Sequence, residues 1–181
     1  HMTDTETAGV AKSGAVAGLC PITESNLGDG IFNGEAFARN GGMFGVGSDS
    51  NVRISLTEEL RTLEYSQRLR DRSRNVMTDG PGSVGQFLYC GAARGSAMAL
   101  DRNAGEIAVG RLADLTALNR DTAALCALRD DQVLDGLCFA AGDDVVTDVW
   151  SAGRHVVQGG RHIARETILP RFKAAMKSLV M

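Results

Sequence analysis

The chain has 181 residues, 44% of them hydrophobic, and a formal net charge of −3. This is enough apolar material for one sizeable core or two small ones, and it excludes a chain disordered by composition. No Lys/Arg cluster falls on a periodic face, so phosphate backbones and anionic lipid find no electrostatic footprint, and neither nucleic acid nor membrane is an expected partner.

No run approaches the roughly 18 to 20 uninterrupted apolar residues of a membrane span, and the amino terminus lacks the basic and apolar regions of a signal peptide. A cytoplasmic setting is the expectation. The cysteines, Cys20, Cys90, Cys126 and Cys138, form no CxxC pair and read as small buried hydrophobes. The chain opens on His1, either the scar of a cleaved tag or the first residue of a segment cut from something longer.

In chain order, Thr3-Asp4-Thr5-Glu6 has the spacing of a capping box, which predicts a helix to about Ser13, ended by Gly14. Ala15 to Cys20 is a short apolar run stopped by Pro21 and reads as a strand buried on both faces. A polar loop through Glu24, Asn26, Gly28, Asp29 and Gly30 is expected next, then a weak helix around Glu35 to Arg39. Met43 to Gly47 reads as a second buried strand running into Ser48-Asp49-Ser50. Ser55-Leu56-Thr57-Glu58 is another capping box, opening a helix with Leu56, Leu60, Leu63 and Gln67 on one face and a Glu64–Arg68 pair on another.

This rhythm of strand, loop and helix is that of a parallel α/β architecture. It stops at Asp79-Gly80-Pro81-Gly82, after which Ser83 opens a helix with Phe87, Leu88, Ala92 and Ala93 available for packing. Glu106 to Val109 and Asp114 to Leu118 are expected strands, and Val145 to Trp150 with His155 to Val157 form an expected hairpin around Ala152-Gly153. Gly159-Gly160 is the next turn, and a closing helix is expected from about Pro170, a residue tolerated in a first turn. A closed (β/α)8 barrel needs eight strands and roughly 250 residues, so the α/β part with its two βα units is incomplete.

Among residues able to do chemistry, Asp49 stands out because it follows a buried strand, where parallel sheets and barrels place ligands and catalytic groups. A carboxylate there can bind a metal and accept a proton from bound water; a helix or turn cap is the other reading of the same spacing. Glu24, Asn26 and Asp29 follow the other buried strand and would lie on the same face as Asp49, as substrate contacts or as a solvated loop. His1, His155 and His162 form no HxH or HExxH pattern, and a catalytic zinc normally needs three protein ligands, so the chain offers one good one. Gly47-Ser48-Asp49-Ser50 is not a nucleophile elbow, and Gly28-Asp29-Gly30 lacks the context of a dinucleotide site.

Several stretches carry a resemblance. Gly18-Leu19-Cys20-Pro21, Thr23-Glu24, Asn26 to Phe32, Gly47 to Ser50 and Glu58 to Leu69 resemble the formimidoylglutamate deiminases of the amidohydrolase superfamily. Gly105 to Gly110, Ala113-Asp114-Leu115 and Val149 to Arg154 resemble the small β-sandwich that accompanies the barrels of that superfamily. The resemblance implies a fold made of the last two βα units of a (β/α)8 barrel (1–100), a β-sandwich segment (101–164) and a carboxy-terminal helix (165–181).

It also implies that Asp49 ends the eighth strand, binds one divalent metal ion, usually zinc, and shuttles protons, with the remaining ligands absent from this chain. His1-Met2-Thr3 is similar to the second half of the family's His-Ala-Thr-His stretch at strand six, which gives His1 a catalytic role if it is native. The implied reaction takes N-formimino-L-glutamate and water to N-formyl-L-glutamate and ammonia, in an enzyme that is a homodimer at full length and inactive as the isolated chain. Another deaminase of the superfamily, acting on an aminated heterocycle, and a non-catalytic interaction module are the alternatives. Asn51 stands where some relatives carry His, which bears on substrate preference.

Overall fold

The computed structural model describes residues 2–80 and 82–179. The first helix, α1 (Asp4–Lys12), is closed at its start by the expected capping box, in which the Glu6 backbone N–H donates to Thr3 Oγ1 and the Glu6 carboxylate accepts the Thr3 N–H at 2.8 Å. That backbone donor holds the Glu6 carboxyl below the usual carboxylate range. Gly14, with φ +78°, turns the chain into β1 (Val16–Leu19).

The segment expected as a polar loop is instead α2 (Pro21–Leu27), which puts Glu24 and Asn26 on a helix. Its composition hid it, because Thr, Ser and Asn have weak helix propensity and favour caps and turns. Pro21 occupies the first helical position, where its missing N–H costs nothing, and Gly28 ends the helix at φ +75°. After α3 (Gly34–Arg39) comes β2 (Met43–Val46), parallel to β1 with Val16 opposite Met43 and Leu19 opposite Val46.

The longest helices are α4 (Leu56–Asp71) and α5 (Val84–Ala99). Ser55 and Ser83 accept the Glu58 and Gln86 N–H groups as side-chain caps, although Glu58 turns away from its half of a capping box to pair with Arg53 at 2.5 Å. Leu60, Leu63 and Gln67 are buried as expected, whereas Leu56 is exposed. Helix α5 lies directly on β2: a Cβ built on Gly95 would stand 1.9 Å from the Phe44 carbonyl oxygen, so only glycine permits this approach.

One core gathers Leu19, Phe37, Phe44, Leu60, Leu63, Met77, Val84, Leu88 and Ala92 between the two strands and the helices, each full burial of a large side chain contributing about 1.5–3 kcal/mol. A second forms around Leu125, Leu137 and Val145 beneath Tyr89. It rests on α6 (Gln132–Phe139), an element absent from the sequence reading, which packs on α4 and α5. Arg61 of α4 donates to the Cys138 and Ala141 carbonyls at 2.8 and 2.6 Å, satisfying the open carboxyl end of α6.

The antiparallel sheet has the order β3 (Leu115–Leu118), β4 (Val146–Ser151), β5 (Arg154–Gln158), β6 (Arg161–His162). Residues 106–109, expected as a strand, are not one: Ile107 and Val109 are exposed and have no ladder partner among the described residues. Strand character is a property of a pair, and alternation alone cannot supply the second member. The last helix, α7 (Arg165–Leu179), starts before Pro170 and contains it, so the proline withholds one helical hydrogen bond instead of opening the helix. Among the described residues no helix is long and apolar enough to cross a membrane.

Candidate active site at the carboxyl end of the parallel strands

Because β1 and β2 are parallel, the turns that follow them emerge at one end of the sheet. The register continues one step past the strands, where the Gly47 N–H donates to the Leu19 carbonyl at 3.0 Å and sets the β2 exit beside the β1 exit. Cys20-Pro21 leaves the first strand and Ser48-Asp49-Ser50 the second.

The turn into α2 is fixed by two carboxylates. Glu24 Oε1 accepts the Cys20 N–H at 2.7 Å, and Glu59 Oε2, reaching across from α4, accepts the Ile22 N–H at 2.9 Å. Together they satisfy donors that a helix start leaves open and that favour negative charge. Glu59 is buried, its Oε1 has no partner among the described residues, and burial pushes its carboxyl above the ordinary range. The Cys20 thiol is likewise pushed up, first by burial and then by the charges of Asp49, Glu24 and Glu59. Glu24 and Glu59 thus meet at the turn that follows β1.

Asp49 is exposed and adopts φ +50°. A residue with a Cβ sits in this left-handed region at a cost on the order of 1 kcal/mol, less for Asp than for most, and keeps it only when its surroundings impose it. The residues on either side of Asp49 are bonded to Thr23, a buried residue of α2. Its hydroxyl donates to the Ser48 carbonyl at 3.0 Å, lies 2.9 Å from Ser50 Oγ, and is 3.4 Å from the Ser50 N–H.

The other residues singled out by sequence are distributed around this end. Glu24 and Asp29 line one cleft of about 690 Å³ together with Met2, Thr3, Leu19 and Asn33. Asn26 lies on the exposed surface of α2 and is not among the residues lining that cleft, and neither is Asp49. His1 lies outside the described residues. His155 is in the antiparallel sheet, stacked on Trp150 and bonded to Asp148 at 2.8 Å.

Thr23 and Glu59 had been given no role. The signal for Glu59 was partial: it stands one helical turn before Leu63 of the buried stripe, but helix position alone does not bury a side chain, as exposed Leu56 on the same stripe shows. For Thr23 there was none, because its partners are 25 and 27 residues away.

As an oxygen donor held on a fixed main chain, Asp49 suits a divalent ion. Among the described residues no group of three His, Cys, Asp or Glu side chains could hold one. Asp49 alone among them is an exposed oxygen donor at the exit of β2.

Comparisons with known proteins identify the family and the fold. Residues 1–156 match the profile described as the Amidohydrolase family. The chain is 47% identical to a formimidoylglutamate deiminase from Pseudomonas aeruginosa over 99% of its own length and 40% of that protein's. A crystal structure of an amidohydrolase from Brucella melitensis superposes with a TM-score of 0.92 at 46% identity, covering 100% of this chain and 40% of that one. An adenosine deaminase from Xanthomonas campestris, crystallised with bound zinc, gives 0.83 at 25% identity, covering 97% and 39%. The chain thus spans about two fifths of the length of these relatives. The family match runs from the first helix into β5, taking in both the parallel pair and the antiparallel hairpin, and the chain belongs to the amidohydrolase family.

Proposed function

We propose that this chain is the carboxy-terminal part of a metal-dependent iminohydrolase that converts N-formimino-L-glutamate and water to N-formyl-L-glutamate and ammonia. The observation that carries the reading is 47% identity, sustained over 99% of the chain, to a protein named for that activity. Relatives named as 5-methylthioadenosine/S-adenosylhomocysteine deaminases reach only 27% and 28%, which favours a linear amidine over an aminated heterocycle.

In this reading residues 1–100 supply the last two βα units of a (β/α)8 barrel, 101–164 a β-sandwich segment and 165–181 a closing helix. Asp49 binds a divalent ion, zinc by analogy with the zinc-bound deaminase structure, and takes a proton during attack on the formimino carbon. When bound, the ion supplies the Lewis acidity that makes water nucleophilic at neutral pH. Glu24, Asn26 and Asp29 are the proposed substrate contacts. Of these, Glu24 already spends one oxygen on the Cys20 N–H and has the other for a ligand. His1 is a further proton-handling group if it is native. The full-length enzyme is proposed to act on a small molecule in the cytoplasm as a homodimer.

The test is ammonia release by the full-length enzyme from N-formimino-L-glutamate, compared with guanine and S-adenosylhomocysteine. Turnover is expected on the first substrate, and Asp49→Asn should lower it by at least about 100-fold, the loss of a few kcal/mol of transition-state stabilisation. The isolated 181-residue chain should retain little zinc and release no ammonia. Turnover confined to a heterocycle would remove the substrate assignment, and an active isolated chain would remove the reading of its incompleteness.

A further inference from the structure

We infer that Thr23 is a positioning residue for Asp49: its hydroxyl holds the strand-exit loop so that the carboxylate stands in the one conformation able to serve a metal. The inference rests on the proposed role of Asp49 and adds a residue to it.

Every contact of the Thr23 hydroxyl among the described residues is with the residues on either side of Asp49. It donates to the Ser48 carbonyl at 3.0 Å and receives from Ser50, whose hydroxyl is 2.9 Å away and whose N–H is 3.4 Å away. The carbonyl one turn back from Thr23 is that of Leu19 in β1, which already accepts the Gly47 N–H, so the hydroxyl is turned to the Ser48–Ser50 segment; its side chain is buried, which shields these bonds from competing water.

Asp49, between the two clamped residues, is one of six non-glycine residues with positive φ among the described residues, at +50°. Without the clamp it can relax into ordinary backbone space and carry its carboxylate away from the strand end. The clamp is itself tied to α4, because the start of α2 is bonded through its Ile22 N–H to Glu59. The geometry therefore transmits a fixed position from α4, through α2, to the exposed carboxylate.

The experiment uses the full-length enzyme and four variants, Thr23→Val, Thr23→Ser, Ser50→Ala and Asp49→Asn. It measures zinc retention against a chelator, kcat and KM separately, and Tm. Thr23→Val keeps the shape and burial while removing the hydroxyl, and is expected to release zinc about tenfold faster and to lower kcat about 10- to 100-fold, the usual effect of losing a group that orients a metal ligand. KM should stay within about twofold, since the interaction lost bears on the reacting centre and not on substrate binding. Thr23→Ser restores the hydroxyl and should recover both readings, and Ser50→Ala, which removes one of the contacts, should fall between.

A merely structural threonine would lower Tm in Thr23→Val and leave zinc retention and kcat unchanged, and that result overturns the inference. So does Thr23→Ser behaving like Thr23→Val, because the methyl and not the hydroxyl would then matter. If Asp49→Asn retains zinc and turns over normally, the role of Asp49 fails and the inference fails with it. Zinc loss in Asp49→Asn with wild-type behaviour in Thr23→Val removes the role of Thr23 alone.

Discussion

Glu64 Oε2 accepts the Met77 backbone N–H at 2.8 Å, while its Oε1 accepts the Val76 N–H at 3.0 Å and Arg68 Nε at 2.6 Å. The carboxylate is completely buried, and it stitches the last turns of α4 to the loop that leads to α5. The Glu64–Arg68 pair expected on a second face of the helix forms, and its buried carboxylate takes two further donors.

Removing that anchor leaves one guanidinium and two amides short of their acceptor. Glu64→Ala is expected to cost about 3–5 kcal/mol, the range for breaking a buried charge pair by deleting one partner. Urea unfolding of the full-length protein measures it, and a loss below about 1 kcal/mol would show that water replaces the carboxylate.

Gly95→Ala should destabilise despite the higher helix propensity of alanine. The new Cβ meets the Phe44 carbonyl oxygen at 1.9 Å and its carbon at 2.5 Å, both main-chain atoms of a strand that cannot give way cheaply. A net loss of about 1–3 kcal/mol is expected. Gly9→Ala in α1 is the control, since nothing lies within 4 Å of its built Cβ. It should gain up to about 1 kcal/mol. Thermal unfolding of the two variants should move in opposite directions.

Glu59 gives stability a pH dependence. Burial raises its folded-state pKa above the unfolded value, so the folded state holds this proton more tightly. Its contribution is complete below the ordinary glutamate range and is lost as pH rises through the folded value. Glu59→Gln keeps an acceptor for the Ile22 N–H without the charge. The variant should gain stability relative to the parent as pH is raised from about 4 toward neutrality, the interval that begins at the unfolded pKa. Urea midpoints across that interval measure the difference, and parallel curves would mean that the carboxyl is not perturbed.

The thiols should separate kinetically. Cys138 is buried and its pKa is pushed up to about 12 by that burial, so almost no thiolate forms at neutral pH. Cys126 is exposed. Iodoacetamide at pH 8, followed by peptide mass spectrometry, should label Cys126 readily and Cys138 only after denaturation. Equal labelling would place the first core, of which Cys138 is a member, in open exchange with solvent.

What the residues disclosed in advance was local. Thr3 with Glu6, Ser55 and Ser83 mark helix starts because a cap is decided within three residues, and Leu60, Leu63 and Gln67 mark a buried face because a helix repeats within a few turns. Helices α2 and α6 were illegible for the opposite reason: their ends are satisfied by Glu59 and Arg61, side chains of α4 that are remote in sequence. At the site, Asp49 could be picked out by its place after an apolar run, whereas the residues that fix its conformation belong to another helix. Residues 106–109 alternate as a strand should, and the alternation was no guide without a neighbour to pair with.

The residues at the start of α1 share a cleft with those at the carboxyl end of β1: Met2 and Thr3 line it together with Leu19, Glu24 and Asp29. A bulky group attached at Thr3 would hang across that cleft, while one attached along α7, whose residues are all exposed or partly so, would leave it clear.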